Sequence, residues 1–187
     1  MILFKEKFDY EIKIQREDEQ GRFIILKGVI EGQPIVWSIS VRRNKTKDQC
    51  TFYEEIQKEL DELELDENWD VIIGGDFHVS LDAELDGTGG KPFIKESCKN
   101  IEDFCSSFDL IDVYRIRNPG VSLHGDKKTI VQRRLDFWLI NNTIQEEVGN
   151  VDIIPAITTD HSAISLHING IEETGRVPSF WNLNSSL

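Results

Sequence analysis

Alternating apolar and polar side chains predict three strands in the first forty residues of the chain. Residues 9–15 alternate strictly, residues 23–30 and 34–41 are rich in branched aliphatic side chains, and short polar turns separate the three segments. A period of two is typical of strands, and short turns join antiparallel neighbours. The sequence therefore predicts an antiparallel meander at the start of the chain.

Helical and extended patterns alternate after the meander. Apolar residues recur at spacings of three and four between residues 50 and 65, and again between residues 101 and 108. This spacing predicts two amphipathic helices. Short apolar runs predict four further strands, at residues 110–114, 134–140, 148–155 and 162–168.

The run Val71-Ile72-Ile73 follows the first helix, and it predicts a strand buried on both faces. We expect the next two residues, Gly74 and Gly75, to end this strand in a sharp turn. That turn would present Asp76 and His78 at a rim, where α/β proteins often place chemistry. The same stretch also fits a plain turn in which Asp76 bonds only nearby backbone amides.

Two further acidic positions are candidates for chemistry. Asp160 and His161 precede the last predicted strand, so a second acid and imidazole lie at a strand end far along the chain from Asp76. Asp136 lies inside an apolar strand, where a buried charge would need a partner. Two alternatives remain for Asp136, a surface-facing acid or an acid that orients a catalytic group.

Composition limits the class of protein. A chain of 187 residues is long enough for one domain with a sizeable core. It has neither a signal-peptide pattern nor a span long enough for a membrane, so we expect an intracellular protein. The net charge of −13 argues against strong non-specific affinity for a polyanion. Basic groups at residues 42–47, 115–117 and 127–134 are either ordinary polar loops or a local phosphate-facing rim.

Five short motifs, in this order, resemble the endonuclease/exonuclease/phosphatase superfamily, and specifically the apurinic-type endonuclease domain of LINE-type (non-LTR) retrotransposons. They are GRFIIL at 21–26, IGGDFH at 73–78, LIDVYR at 110–115, RRLDFWL at 133–139 and TDHS at 159–162. Residues 1–171 would form this domain, matching its C-terminal two-thirds. The polar tail, residues 172–187, resembles the linker that leads toward a reverse transcriptase in such elements.

The resemblance implies a fold and a reaction. The fold would be α/β (α+β), a DNase-I-like four-layer sandwich of two mixed β-sheets flanked by helices, incomplete at its N-terminus. The reaction would be hydrolysis of a DNA phosphodiester, with Mg²⁺ (or Mn²⁺) stabilising charge on the phosphoryl oxygens. DNA would be the partner, and a longer polyprotein with a reverse transcriptase would be the context.

The resemblance also implies roles for particular residues. Asp76 matches the acid that positions or deprotonates the attacking water. Asp136 matches the acid that fixes the tautomer of an imidazole, and His161 matches that imidazole beside the phosphate. Asp160 matches a metal-coordinating acid. The remaining positions match substrate-binding residues, namely His78 and Asn44.

Departures from the family pattern predict weak activity. His78 replaces an asparagine, Ser40 stands where the family has a tyrosine, and no residue before Ile2 supplies the family's metal-binding glutamate. We therefore expect a divalent ion to be bound weakly if at all, and little phosphodiesterase activity. The alternatives are a catalytically dead remnant or non-catalytic interaction domain and, less favoured, a phosphatase of the same superfamily that acts on a small ester.

Overall fold

The computed structural model describes residues 2–4, 8–41, 49–82, 84–88, 95–121, 132–155 and 161–169. The strands and helices in these ranges are β1 (Tyr10–Glu17), β2 (Phe23–Ile30), β3 (Gln33–Val41), α1 (Gln49–Asp61), β4 (Asp70–Asp76), β5 (Gly87–Thr88), α2 (Lys95–Ser107), β6 (Leu110–Asp112), α3 (Val113–Arg117), β7 (Gln132–Arg133), β8 (Asp136–Asn141), β9 (Val148–Ile154) and β10 (Ala163–Ile168). A 3₁₀ turn, Asn142–Ile144, follows β8.

A mixed six-stranded sheet, ordered β1-β2-β3-β4-β8-β6, forms the centre of the molecule. The strands β1, β2 and β3 pair antiparallel, so the predicted meander is confirmed. The crossover through α1 makes β4 parallel to β3, and β8 then pairs antiparallel with both β4 and β6. The strands β4 and β8 are therefore central and adjacent.

Apolar clusters cover both faces of this sheet. On one face the helices α1 and α2 contribute Phe52, Tyr53, Ile56, Leu60, Ile101 and Phe104. On the other face α3, the 3₁₀ turn and β9 contribute Val113, Ile144, Val148 and Val151. Because β4 lies between the two clusters, Val71 and Ile73 face the first while Ile72 faces the second. The predicted strand buried on both faces is confirmed.

The prediction that Gly74 and Gly75 end this strand is wrong, because β4 continues through both glycines to Asp76. Glycine is required here by close packing. A methyl group at Gly74 would overlap the ring of Trp138, and one at Gly75 would overlap the carbonyl oxygen of Ser40. Gly75 also has a φ of +148°, which side chains rarely adopt.

The predicted strand at residues 110–114 is also shorter than expected. It ends at Asp112, whose carboxylate accepts a hydrogen bond of 3.3 Å from the backbone N–H of Arg115. This bond caps the N-terminus of α3, which replaces the last residues of the predicted strand.

A second sheet consists of β9 and β10, which pair antiparallel. It packs through Val151 and Leu166 on the face of the central sheet that α3 also covers. Helices, the six-stranded sheet and this second sheet are stacked in layers, which confirms the predicted mixed α/β sandwich. None of the helices in the described ranges has the length and apolar character required to cross a bilayer.

Candidate active site

Two carboxylates meet where β4 ends and β8 begins. Asp76 and Asp136 are direct partners in the antiparallel register of these strands. Side chains at such positions lie close together, and like charges opposite one another destabilise a sheet. This end of the sheet therefore favours cationic or hydrogen-bond-donating groups beside the two acids.

His161 provides such a group, and it approaches from the second sheet, since β10 begins at Ala163. Its Nδ1 lies 2.9 Å from Oδ2 of Asp136, which is hydrogen-bonding distance. Its Nε2 lies 3.9 Å from Oδ2 of Asp76. The imidazole is thus placed between the two carboxylates, and about half of its side chain (46%) remains exposed.

The ring of His78 contacts the other side of Asp76. Its Nε2 lies 2.8 Å from Oδ2 of Asp76, and its backbone N–H donates to Oδ1 over 3.0 Å. The backbone of His78 has a φ of +49°, in the left-handed region where Asn and His are among the more tolerated residues. This turn directs the ring of His78 back onto the carboxylate two residues earlier.

Burial raises the pKa of the Asp76 carboxyl above its ordinary value. The charge of Asp136 acts in the same direction, whereas the backbone N–H of His78 and the nearby imidazoles lower this pKa. Burial prevails because only 8% of the residue is exposed to solvent. A carboxylate with a raised pKa holds a proton more strongly, which suits a group that accepts one.

Four of the predicted site residues lie together in the structure: Asp76, His78, Asp136 and His161. Asp136 lies beside His161, where the resemblance led us to expect it. The other two predicted site residues, Asp160 and Asn44, lie outside the described residues. The catalytic roles of all six remain predictions.

Asp76, Asp136 and His161 each offer a ligand atom, and these atoms lie within 4.8 Å of one another. Mg²⁺ prefers octahedral oxygen ligands and retains several waters. In the described site one carboxylate already bonds His78 and the other bonds His161. A set of two acids engaged with imidazoles does not fit Mg²⁺ well, but it does fit a divalent ion that accepts nitrogen as well as oxygen.

A buried charge network next to this site was not predicted from the sequence. Arg134 donates from Nε and Nη2 to the two carboxylate oxygens of Asp86, each over 2.8 Å, and also bonds Asp112. Arg115 bonds the same Asp86 carboxylate. One feature of the sequence could have indicated this network. Arg134 stands beside the apolar run that contains Asp136, and a charge in such surroundings requires a partner.

Three arginines of the predicted phosphate-facing rim bind other groups of the protein. Arg115 and Arg134 bind buried carboxylates, and Arg117 donates to backbone carbonyls of Gln145 and Val148. These arginines therefore stabilise the fold. The remaining members of the predicted rim in residues 42–47 and 127–128 lie outside the described residues.

Comparisons with known proteins place this geometry in context. No known family model matches the chain. In sequence the chain is similar to the Transposon TX1 uncharacterized 149 kDa protein of Xenopus laevis, with 24% identity over 191 residues. That match covers 100% of this chain, but the chain spans only 14% of the length of this curated relative.

Three solved structures share the fold. The AP endonuclease LMAP from Leishmania major has a TM-score of 0.66 and 14% identity, over 81% of this chain and 56% of that one. The endonuclease domain of TRAS1, a telomere-specific non-LTR retrotransposon, has a TM-score of 0.60 and 12% identity, and the match covers 89% of this chain and 71% of that one. An AP endonuclease from Archaeoglobus fulgidus has a TM-score of 0.59 and 15% identity, over 87% and 70%. The fold is that of apurinic-type endonucleases, and the predicted resemblance is confirmed at this level.

Proposed function

We propose that this chain is a DNA-nicking phosphodiesterase domain of a non-LTR retrotransposon. The observation that carries the proposal is the placement of His161 between Asp136 and Asp76, at the shared end of two central strands. Within an apurinic-endonuclease fold, this arrangement combines a proton acceptor with an oriented imidazole. The similarity to a transposon protein and to a retrotransposon endonuclease domain supports DNA as the substrate.

Asp136 acts on the reaction through His161. A carboxylate beside Nδ1 keeps the proton on that nitrogen and favours the protonated ring. The protonated ring can donate from Nε2 to a phosphoryl oxygen on which negative charge develops during hydrolysis. Asp136 is therefore a positioning residue, and His161 is the group that touches the substrate.

Asp76 is the group best placed to act on the attacking water. Its carboxylate is largely buried, and burial raises its pKa, so it accepts a proton more readily than an ordinary exposed aspartate. The nearby imidazole of His161 would hold the phosphate within reach of a water bonded to Asp76. Proximity of this kind lowers the entropic cost of the reaction.

Two features set the expected level of activity. His78 donates to the same carboxylate oxygen of Asp76 that a water would use, so the ring competes with the water. A divalent ion, when bound, would neutralise charge on the phosphoryl oxygens. Asp160, the ligand that the resemblance assigns to this ion, lies outside the described residues. We expect slow nicking by the wild-type chain.

The proposal is tested by the conversion of supercoiled plasmid to nicked circles. Purified protein is incubated with Mg²⁺, with Mn²⁺ or with EDTA, beside the variants Asp76→Asn and His161→Gln. His167→Asn is the matched control, since His167 is an exposed imidazole on β10. Loss of a group that transfers or positions a proton typically costs about 10²–10⁴-fold in rate. We expect losses of at least about 100-fold in both site variants and none in the control.

Three outcomes would contradict the proposal. Nicking that persists in both site variants would identify a contaminating nuclease. Absence of nicking in the wild type and in His78→Asn, with the folded state verified by circular dichroism, would favour the non-catalytic interaction domain. Release of phosphate from a small monoester, without plasmid nicking, would favour the phosphatase alternative.

A further inference from the structure

We infer that Arg134 is a positioning residue for the candidate active site. The contacts that bury this arginine also hold Asp136 in place and, through Asp136, the imidazole of His161. Arg134 precedes Asp136 by two residues, just before β8 begins. Its effect on catalysis rests on the proposed function, whereas its structural basis is a set of contacts outside that mechanism.

The side chain of Arg134 joins β8 to two other segments of the chain. Its Nε and Nη2 donate to the two carboxylate oxygens of Asp86, each over 2.8 Å, and Asp86 directly precedes β5. Its Nη1 donates over 3.2 Å to Asp112, the last residue of β6. These bonds are shielded from water, since only 2% of the Arg134 side chain is exposed. A bidentate pair fixes direction as well as distance, so the guanidinium holds the start of β8 in one orientation.

The main chain near Arg134 is bonded to the same region. The backbone N–H of Arg134 donates to the carbonyl of Asp86 over 2.8 Å, and the N–H of Phe77 donates to the carbonyl of Leu135 over 2.9 Å. The short strands β5 and β7 add an antiparallel pair beside these bonds. The start of β8 is therefore tied to the segment that follows β4.

Ring stacking extends this restraint to the turn that follows β4. The guanidinium carbon of Arg134 lies 5.3 Å from the ring centre of Phe137, and that ring stacks on Phe77 with 4.4 Å between centroids. A cation over an aromatic face is attracted to it. Phe77 is fully buried and stands between Asp76 and His78 in the chain. The stack therefore anchors the turn from which both of these side chains project.

Such a restraint is needed because the two acids of the site repel each other. Asp76 and Asp136 are direct partners in the register of β4 and β8, and like charges in such positions destabilise a sheet. The ring of His161 depends on Asp136, whose Oδ2 lies 2.9 Å from Nδ1. If Asp136 moved, the ring would lose the acceptor that keeps its proton on Nδ1. A misplacement of about 1 Å can cost about 100-fold in rate.

The test is Arg134→Lys. Lysine keeps the positive charge, but its ammonium group lacks the planar shape that binds carboxylates bidentately. Arg22→Lys is the matched control, since the Arg22 side chain is only 8% exposed and bonds both carboxylate oxygens of Asp18. Arg22 precedes β2, and β3 lies between β2 and β4.

Two quantities are measured in folded protein, with the fold verified by circular dichroism. The first is the tautomer of the His161 ring, read from the NMR chemical shifts of its two nitrogens at alkaline pH, where the ring is neutral. This measurement requires no catalysis, so it does not depend on the proposed function. The second is the pair of constants kcat and KM for plasmid nicking.

We expect the wild type and Arg22→Lys to carry the proton on Nδ1 of His161. In Arg134→Lys a large fraction of the rings should carry it on Nε2, as in Asp136→Ala. The kcat should fall about 10–100-fold with little change in KM, because the loss concerns orientation in the transition state. Asp112→Asn leaves the pair between Arg134 and Asp86 intact, so it should show a smaller change of tautomer in the same direction.

Two results would overturn the inference. The first is an Arg134→Lys variant with the tautomer and kcat of the wild type, destabilised in urea as much as Arg22→Lys, which would show a structural role only. If Arg134→Lys does not fold, an unchanged tautomer in Asp112→Asn overturns it equally. The second is the same change of tautomer in Arg22→Lys, which would show general loosening of the fold. A changed tautomer with unchanged kcat would instead contradict the role of His161 in the proposed function.

Discussion

Asp86→Asn should destabilise the fold strongly, although the two side chains have nearly the same shape. The Asp86 side chain is fully buried, and the side chain of Arg134 is only 2% exposed. Arg134 occupies both carboxylate oxygens, and Arg115 shares one of them. An asparagine would keep one acceptor oxygen but would direct its NH₂ group at an arginine N–H. The guanidinium that faces this NH₂ group would lose a hydrogen bond to residue 86 and would remain largely buried.

The magnitude follows from these contacts. Removing one partner of a buried ion pair costs about 3–5 kcal/mol, because the other charge is left uncompensated. Here Arg134 retains Asp112 as a second partner, and the asparagine still accepts one hydrogen bond. Both points reduce the cost. We therefore expect the free energy of unfolding at neutral pH to fall by about 3 kcal/mol, the lower end of that range.

The pH dependence of the free energy of unfolding supplies a sharper test of the ion pair between Asp86 and Arg134. Burial raises the pKa of Asp86, but the hydrogen bonds and charges of Arg134 and Arg115 outweigh burial and hold this pKa below its ordinary value. A carboxylate with a depressed folded-state pKa stabilises the fold above its unfolded pKa of about 3.9. That stabilisation is lost as the pH falls through the folded value. The difference between wild type and variant should therefore be constant from neutral pH to about 5 and shrink below about 4.

The assay is urea unfolding followed by tryptophan fluorescence at several pH values. Asp152→Asn is the matched control, since Asp152 is an exposed aspartate on β9 and should change stability by less than about 0.5 kcal/mol. Two results would refute the reasoning: an Asp86→Asn variant as stable as the control, or a deficit that grows as the pH falls.

Three shorter predictions concern the site and the strand that holds it. Gly75→Ala should lower the urea midpoint more than alanine at the preceding glycine, because its methyl would meet the fixed main chain of Ser40 and not a movable ring; equal midpoints would contradict this. His78→Asn should raise the initial rate of plasmid nicking by about tenfold or more, since a hydrogen bond to a charged group contributes about 1.5–3 kcal/mol and about 1.4 kcal/mol is a factor of ten in rate; an unchanged or lower rate would show that the ring is no obstacle. Asp136→Asn should reduce nicking roughly 10–100-fold and shift its pH profile, because the imidazole of His161 loses its orienting partner; a uniform loss with an unshifted profile would indicate a structural role only.

Local patterns were sufficient to predict most of the central sheet. The run from Val71 to Ile73 indicates burial on both faces, because a strand with a wet side would carry polar residues at alternate positions. The meander follows from the short turns near Gly21 and Gly32, both of which have positive φ. These features depend on residues that are neighbours in the chain, so the sequence alone determines them.

Contacts between distant segments had to come from the tertiary structure. In the sequence the glycines of β4 suggest the end of a strand. In the structure glycine is required at both positions because the ring of Trp138 and the main chain of Ser40 leave no room for a side chain. The partners of Arg134 are on two other segments, and no local pattern identifies them.

The candidate site shows the same division. Asp76 and the pair Asp136 and His161 were identified in the sequence from motifs and the resemblance. Only the folded chain determines that the ring of His161 lies between the two acids and that the ring of His78 turns back onto Asp76. The physical reason is that side-chain direction depends on register, on φ and on packing between sheets, and these are set by residues far apart in the chain.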